Sequence, residues 1–152
     1  MQSGLNLENP VFVDFAFFSI ILAIKCLVMS LITGRLRVVN KIFLGPEDFA
    51  AFGKPDKPSA VAEAHIERVR NAHRNDMENI FPFFTIGLLY VLCNPNPITA
   101  TWLFRIFTAA RIGHTVVYLN GVRQPFRALC FFIAIAVNFI MCGLVLKTIV
   151  TM

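Results

Sequence analysis

Residues 61–92 read VAEAHIERVRNAHRNDMENIFPFFTIGLLYVL, and their reading decides the fold. The apolar run from Ile80 to Leu92 is only 13 residues long, short of the roughly 20 that a helix needs to cross a bilayer. To span, the helix must continue backward through Glu78, Asp76 and Asn75, which brings charge to the membrane boundary or slightly inside it. Nothing prevents this, because no glycine or proline interrupts residues 59–81. One helix from Val61 to Leu92 is expected, projecting beyond the bilayer and kinked at Pro82, whose ring removes a hydrogen bond and crowds the preceding turn.

The rest of the chain supports a bilayer as solvent. Of its 152 residues, 57% are apolar and only 15% charged, against roughly 25% charged in an ordinary soluble domain. A water-soluble globule of this size cannot hide so much apolar surface, and disorder or a secreted disulfide scaffold is excluded by the same composition. Three further stretches read as spans: Val11–Thr33, interrupted by Asp14 and Lys25; Ile98–Leu119, containing Arg105, Arg111 and His114; and Ala128–Leu146, free of charge. The first lacks a basic leader and a small-residue cleavage site, so it reads as a permanent helix and not a signal peptide. The expected fold is all-α and integral to the membrane, a single domain over residues 1–152 with four transmembrane helices and a cytosolic loop at about 35–60.

In that loop, Pro46-Glu47-Asp48 followed by Phe49-Ala50-Ala51-Phe52-Gly53 reads as a short helix, with proline and acids in the first turn and glycine after the last. Asn94-Pro95-Asn96-Pro97 and Asn120-Gly121 read as turns. Eight of the fourteen Lys and Arg fall between residues 34 and 74, and the turn at 93–97 has none. Positive-inside bias therefore puts the first and third loops in the cytosol, with Lys147 dissenting. The net charge of +5 does not signal nucleic acid, since no basic run alternates with exposed aromatics. Cys26, Cys93, Cys130 and Cys142 show neither zinc nor disulfide spacing and read as reduced thiols packed among helices. No metal is expected.

Ionisable side chains in a bilayer are costly and normally face a bundle interior or a wet cavity. Here they gather at one depth, toward the cytosolic helix ends: Arg37; Arg70, His73, Arg74, Asn75 and Glu78; Arg111, His114 and Tyr118, which share a face at i, i+3 and i+7; and Arg127. A purely structural reading pairs Glu78 with Arg111 and Lys25 with Asp76. Yet arginines outnumber nearby acids, and surplus buried cations call for a small anionic ligand. Arginine forks fit carboxylates, an acid such as Glu78 fits an ammonium, and Arg127 or Tyr118 suits a thiolate, whose formation positive charge favours. That chemistry permits glutathione without excluding a phosphate or acyl-CoA.

The segments ERVRNAHRNDMENIFP (67–82), PEDFAAFG (46–53), ARIGHTVVYL (110–119) and QPFRAL (124–129) together resemble the family of membrane-associated proteins in eicosanoid and glutathione metabolism (MAPEG). The likeness runs from about Phe12 to Leu146 and is nearest the glutathione transferase branch, then the prostaglandin E synthase branch. It implies a homotrimer in the endoplasmic reticulum membrane, with the mitochondrial outer membrane as a further address, and glutathione bound between neighbouring subunits near the cytosol. Carried over by position, the glutathione contacts are Arg37, Arg70, His73, Arg74, Asn75, Glu78, His114, Tyr118 and Arg127. Arg127 stabilises the thiolate and Tyr118 assists. Asn71 stands where both branches usually carry arginine, and Phe49 where the mammalian transferase has an activating thiol. Ala128 and Phe131 replace a serine and a tyrosine of the prostaglandin synthase.

The resemblance implies conjugation of glutathione to lipophilic electrophiles that arrive through membrane lipid, with a glutathione-dependent peroxidase activity on lipid hydroperoxides. The alternatives are a glutathione-dependent endoperoxide isomerase and a non-catalytic lipid-binding scaffold.

Overall fold

The computed structural model describes residues 4–54 and 59–151; Lys57, counted above among the loop cations, lies outside them. Five helices follow in chain order: α1 (Pro10–Asn40), α2 (Pro46–Phe52), α3 (Ala60–Leu92), α4 (Pro97–Leu119) and α5 (Phe126–Val150). No strand occurs among the described residues. Local chemistry sets the boundaries. Asn9 caps α1 by accepting from the Val11 amide, Ser59 caps α3 through the Ala62 amide, and Asn96 caps α4 through the Thr99 amide. Each occupies one of the donors that a helix start leaves open. Proline stands in the first turn of α1, α2 and α4, where its missing N–H costs nothing.

The first helix outlasts its expected end at Thr33. Leu36, Val38 and Val39 keep it helical until Lys41 turns left-handed (φ 53°), so Arg35 and Arg37 stand on α1 and not in the loop. The short helix forms as expected, its Glu47 and Asp48 in the first turn. The long helix is unbroken through Pro82. In the adjoining turn, the Asn138 amide of α5 donates to the Asn79 carbonyl at 3.2 Å.

The four long helices make one bundle: α1 packs on α3 and α4, and α5 on α4 and α3. Its centre is aromatic. Phe83 stacks on Phe107 at 4.2 Å between centroids, while Phe15 lies 5.9 Å from Phe83 and 5.6 Å from Phe104. Gly87 makes that contact possible, because a Cβ there would lie 2.5 Å from the Phe15 ring. Outside this core the surface is apolar. α1 and α5, 31 and 25 residues long, are each long and apolar enough to cross a membrane, and only 17% and 28% of their most apolar stretches are buried within the chain. Phe17, Ile20, Ile24, Leu27 and Leu31 all face outward from α1. Such a continuous apolar surface fits lipid or a partner, not water.

Candidate functional site

The third helix presents two stripes, and the site divides between their flanks. Val69, Ala72, Asp76, Ile80, Phe83 and Gly87 recur at three- or four-residue spacing and are all buried. Arg70, Arg74, Glu78, Phe81, Thr85 and Leu88 make the opposite stripe and are all exposed.

On one flank, α1 and α3 enclose a cleft of about 410 Å³ lined by Arg37, Arg70, His73, Arg74, Asn71 and Glu67, among others. Arg70 donates to Glu67 at 2.8 Å and Arg74 to Asn71 at 2.9 Å, both within the helix. Three arginines against one glutamate leave an excess of two cations, open to an anion. Asn71 thus stays in the cleft and orients Arg74.

On the other flank, α3, α4 and α5 enclose a pocket of about 360 Å³ lined by Asn75, His114, Tyr118, Gln124, Arg127, Ala128, Phe131 and Phe132. Arg127 lies over the Tyr118 ring, 4.8 Å from its centroid, a favourable placement for a cation. The Tyr118 ring is 5.6 Å from that of His114. Arg127 makes no ion pair among the described residues, and its Nε is buried without a partner. The lining contains N–H and O–H donors and no acid, a chemistry suited to an anion.

Glu78 belongs to neither. It lines a third space of about 330 Å³ with Asn79, Pro82, Ile86, Phe131, Ile135, Asn138, Phe139 and Cys142, and Phe131 is common to this mainly apolar groove and the Arg127 pocket. The nine sequence-predicted residues are therefore distributed over three surfaces of one chain. Arg37, Arg70, His73 and Arg74 are together; Asn75, His114, Tyr118 and Arg127 are together; Glu78 stands between on the exposed stripe.

Two expectations are corrected. Glu78 does not pair with Arg111. The partner of Arg111 is Asp76, at 2.5 Å with both side chains fully buried, because Asp76 sits on the inward stripe and Glu78 on the outward one. Nor are most of the surplus cations buried: Arg70 and Arg74 are exposed and Arg37 and Arg127 half-buried, whereas the fully buried Arg111 shares the Asp76 carboxylate with Lys25. The expected pairing of Lys25 with Asp76 is present. Asp76 also accepts from the Thr115 hydroxyl at 3.2 Å, so one carboxylate ties α1, α3 and α4 together. Sequence reasoning missed its central place. The signal was its register, an acid in step with Val69, Ala72, Ile80 and Phe83.

The four cysteines are free, and no group of residues suited to a metal occurs among the described residues. Residues 15–147 match the MAPEG family. The chain belongs to that family. Among its members, the chain is 44% identical to human microsomal glutathione S-transferase 1 over 144 residues, 93% of each chain. It is 46% identical to the bovine protein of that name over the same share. With human prostaglandin E synthase it shares 38% over 131 residues, 86% of this chain and 85% of the other. Both MAPEG branches therefore match nearly from end to end, the transferase more closely.

Proposed function

We propose that this MAPEG protein is a membrane-bound glutathione transferase that joins the glutathione thiolate to lipophilic electrophiles and reduces lipid hydroperoxides with the same thiol. The observation that carries the reading is the acid-free, donor-lined pocket around Arg127, which shares Phe131 with an apolar groove. The pocket suits a thiolate and the groove a lipophilic acceptor, so the two reactants meet at one wall. Catalysis then rests on proximity and on positive charge preorganised where the thiolate forms. Arg127 stabilises the sulfur, and Tyr118 supplies a hydroxyl beside it. The relatives named as glutathione transferases support the same chemistry.

The division of the site supports a homotrimer. The cation-rich α1–α3 cleft suits the carboxylates of glutathione and the Arg127 pocket its sulfur, yet in one chain they lie on opposite flanks of α3. A cyclic assembly brings the cleft of one subunit to the pocket of the next, with Glu78 available to the ammonium. α3 and α4, of 33 and 23 residues, complete a four-span bundle with α1 and α5, since about 20 residues suffice to cross. The basic residues orient the glutathione site to the cytosol, in the endoplasmic reticulum and, as a second address, the mitochondrial outer membrane.

The prostaglandin E synthase reading ranks second, supported by the 38% identity. Ala128, which lines the pocket, offers no hydroxyl to assist the thiol there. The test is purified protein titrated with glutathione while ultraviolet absorbance of the thiolate is followed, then supplied with an activated aryl halide or a prostaglandin endoperoxide. Saturable thiolate formation and aryl-halide conjugation are expected. Efficient endoperoxide turnover with negligible conjugation would reverse the order, and binding without either reaction would leave the scaffold reading.

A further inference from the structure

Arg111 is the largest fully buried side chain among the described residues, and it lies behind the Arg127 pocket without lining it. Its Nη2 donates to Asp76 Oδ1 at 2.5 Å and to Asn75 Oδ1 at 2.9 Å, and approaches His114 Nδ1 to 3.5 Å. Asn75 and His114 are both pocket residues. With Lys25 also on Asp76, the cluster holds two cations against one carboxylate.

A guanidinium carries donors and no acceptor. What faces it is best an acceptor, and this bears on two choices that amides and imidazoles otherwise leave open. The Asn75 oxygen must be the atom turned to Arg111, which leaves its Nδ2 hydrogens for the other side. The two hydrogens of Nη2 go to Asp76 and Asn75, so His114 Nδ1, at 3.5 Å, meets the positive charge of the guanidinium more favourably with its lone pair than with a hydrogen, which favours the ring hydrogen on Nε2. Neither Asn75 Nδ2 nor His114 Nε2 has a hydrogen-bond acceptor among the described residues.

We infer that Arg111 is a positioning residue that sets the hydrogen-bonding polarity of the pocket, turning the donor edges of both Asn75 and His114 toward a bound anion. Asp76 holds the guanidinium in place, so the charge that links the helices also fixes what the pocket recognises. Arg111 touches no ligand itself. The inference rests on the glutathione reading for the identity of the anion, and not for the polarity.

Two measurements test it. The first is the ¹⁵N spectrum of histidine-labelled protein without ligand, assigned with His114→Gln. The expected result is a protonated Nε2 and a bare Nδ1 at His114; a hydrogen on Nδ1 overturns the inference. The second compares Asn75→Asp with the native protein. The added carboxylate faces Arg111 and balances the two cations, so thermal stability is expected to hold or rise. Its pocket edge can no longer donate, so glutathione affinity is expected to fall roughly ten- to a hundredfold, the loss of one charge-assisted hydrogen bond. A merely structural role predicts no such separation. Native-like affinity in Asn75→Asp overturns the inference. Failure of the glutathione reading shows differently, as native protein that binds no glutathione, and the histidine spectrum then decides the polarity alone.

Discussion

Arg74 and Asp76 stand two residues apart on α3 in opposite circumstances. Asp76 is fully buried, bonded to Lys25, Arg111 and Thr115. Arg74 is exposed, and its recorded hydrogen bond goes to Asn71 of its own helix. The buried charge of α3 is committed to other charge and holds helices together, whereas charge on its exposed stripe remains available to something outside the chain. A count of charged residues along α3 does not distinguish the two kinds; the helical register does.

The largest effect expected from breaking this contrast follows Asp76→Ala. It leaves Lys25 and Arg111 facing each other in an apolar interior, and removing one partner of a buried pair costs about 3–5 kcal/mol. Thermal unfolding in detergent should show a large loss of stability, with glutathione binding lost alongside. A stable Asp76→Ala protein would mean that the buried cluster is not what joins α1, α3 and α4.

Arg127→Ala should separate function from fold. Arg127 has no ion pair to break, and the expected result is unchanged thermal stability with conjugation reduced roughly 10²–10³-fold, as when an enzyme loses one preorganised electrostatic donor. Thiolate absorbance on adding glutathione should fall with it. Retained thiolate formation would remove Arg127 from its proposed role.

On the exposed stripe, Arg74→Ala and Glu78→Gln should weaken glutathione binding and move stability by no more than about 0.5 kcal/mol, the usual range for surface changes. A marked loss of stability in Glu78→Gln with unchanged affinity would show that Glu78 serves packing after all. The smallest change is Ala128→Ser, which adds a hydroxyl to the pocket. It should raise endoperoxide isomerisation more than aryl-halide conjugation, measured side by side on the same preparation.

Much of the fold was legible. Apolar runs and Pro-Asn turns placed the long helices, and PEDFAAFG placed α2, because those signals are local. The end of α1 was not, since the run Leu36–Val39 continues the helix beyond the point where charge begins. For the site, residue types and depth gathered the polar cluster, Arg111 included, and the family resemblance selected nine of its members, but neither gave their division among three surfaces. That division depends on which flank of α3 each neighbour covers, a property of helix packing. The assignment of Arg111 to Glu78 failed for a readable reason. Asp76 shares the period of Val69, Ala72, Ile80 and Phe83, and Glu78 shares that of Arg70, Arg74 and Phe81.

The central claim is that one chain carries two half-sites that only neighbouring subunits unite. It is tested most directly by co-expressing, under separate tags, an Arg74→Ala chain that also carries Arg37→Ala with an Arg127→Ala chain, and isolating the mixed assemblies. Each variant alone should be inactive. A mixed cyclic trimer has both halves intact at one of its three junctions, so the isolated mixed assemblies should restore about a third of native conjugation. Mixed assemblies as inactive as either parent would contradict the account and place the whole site within one chain.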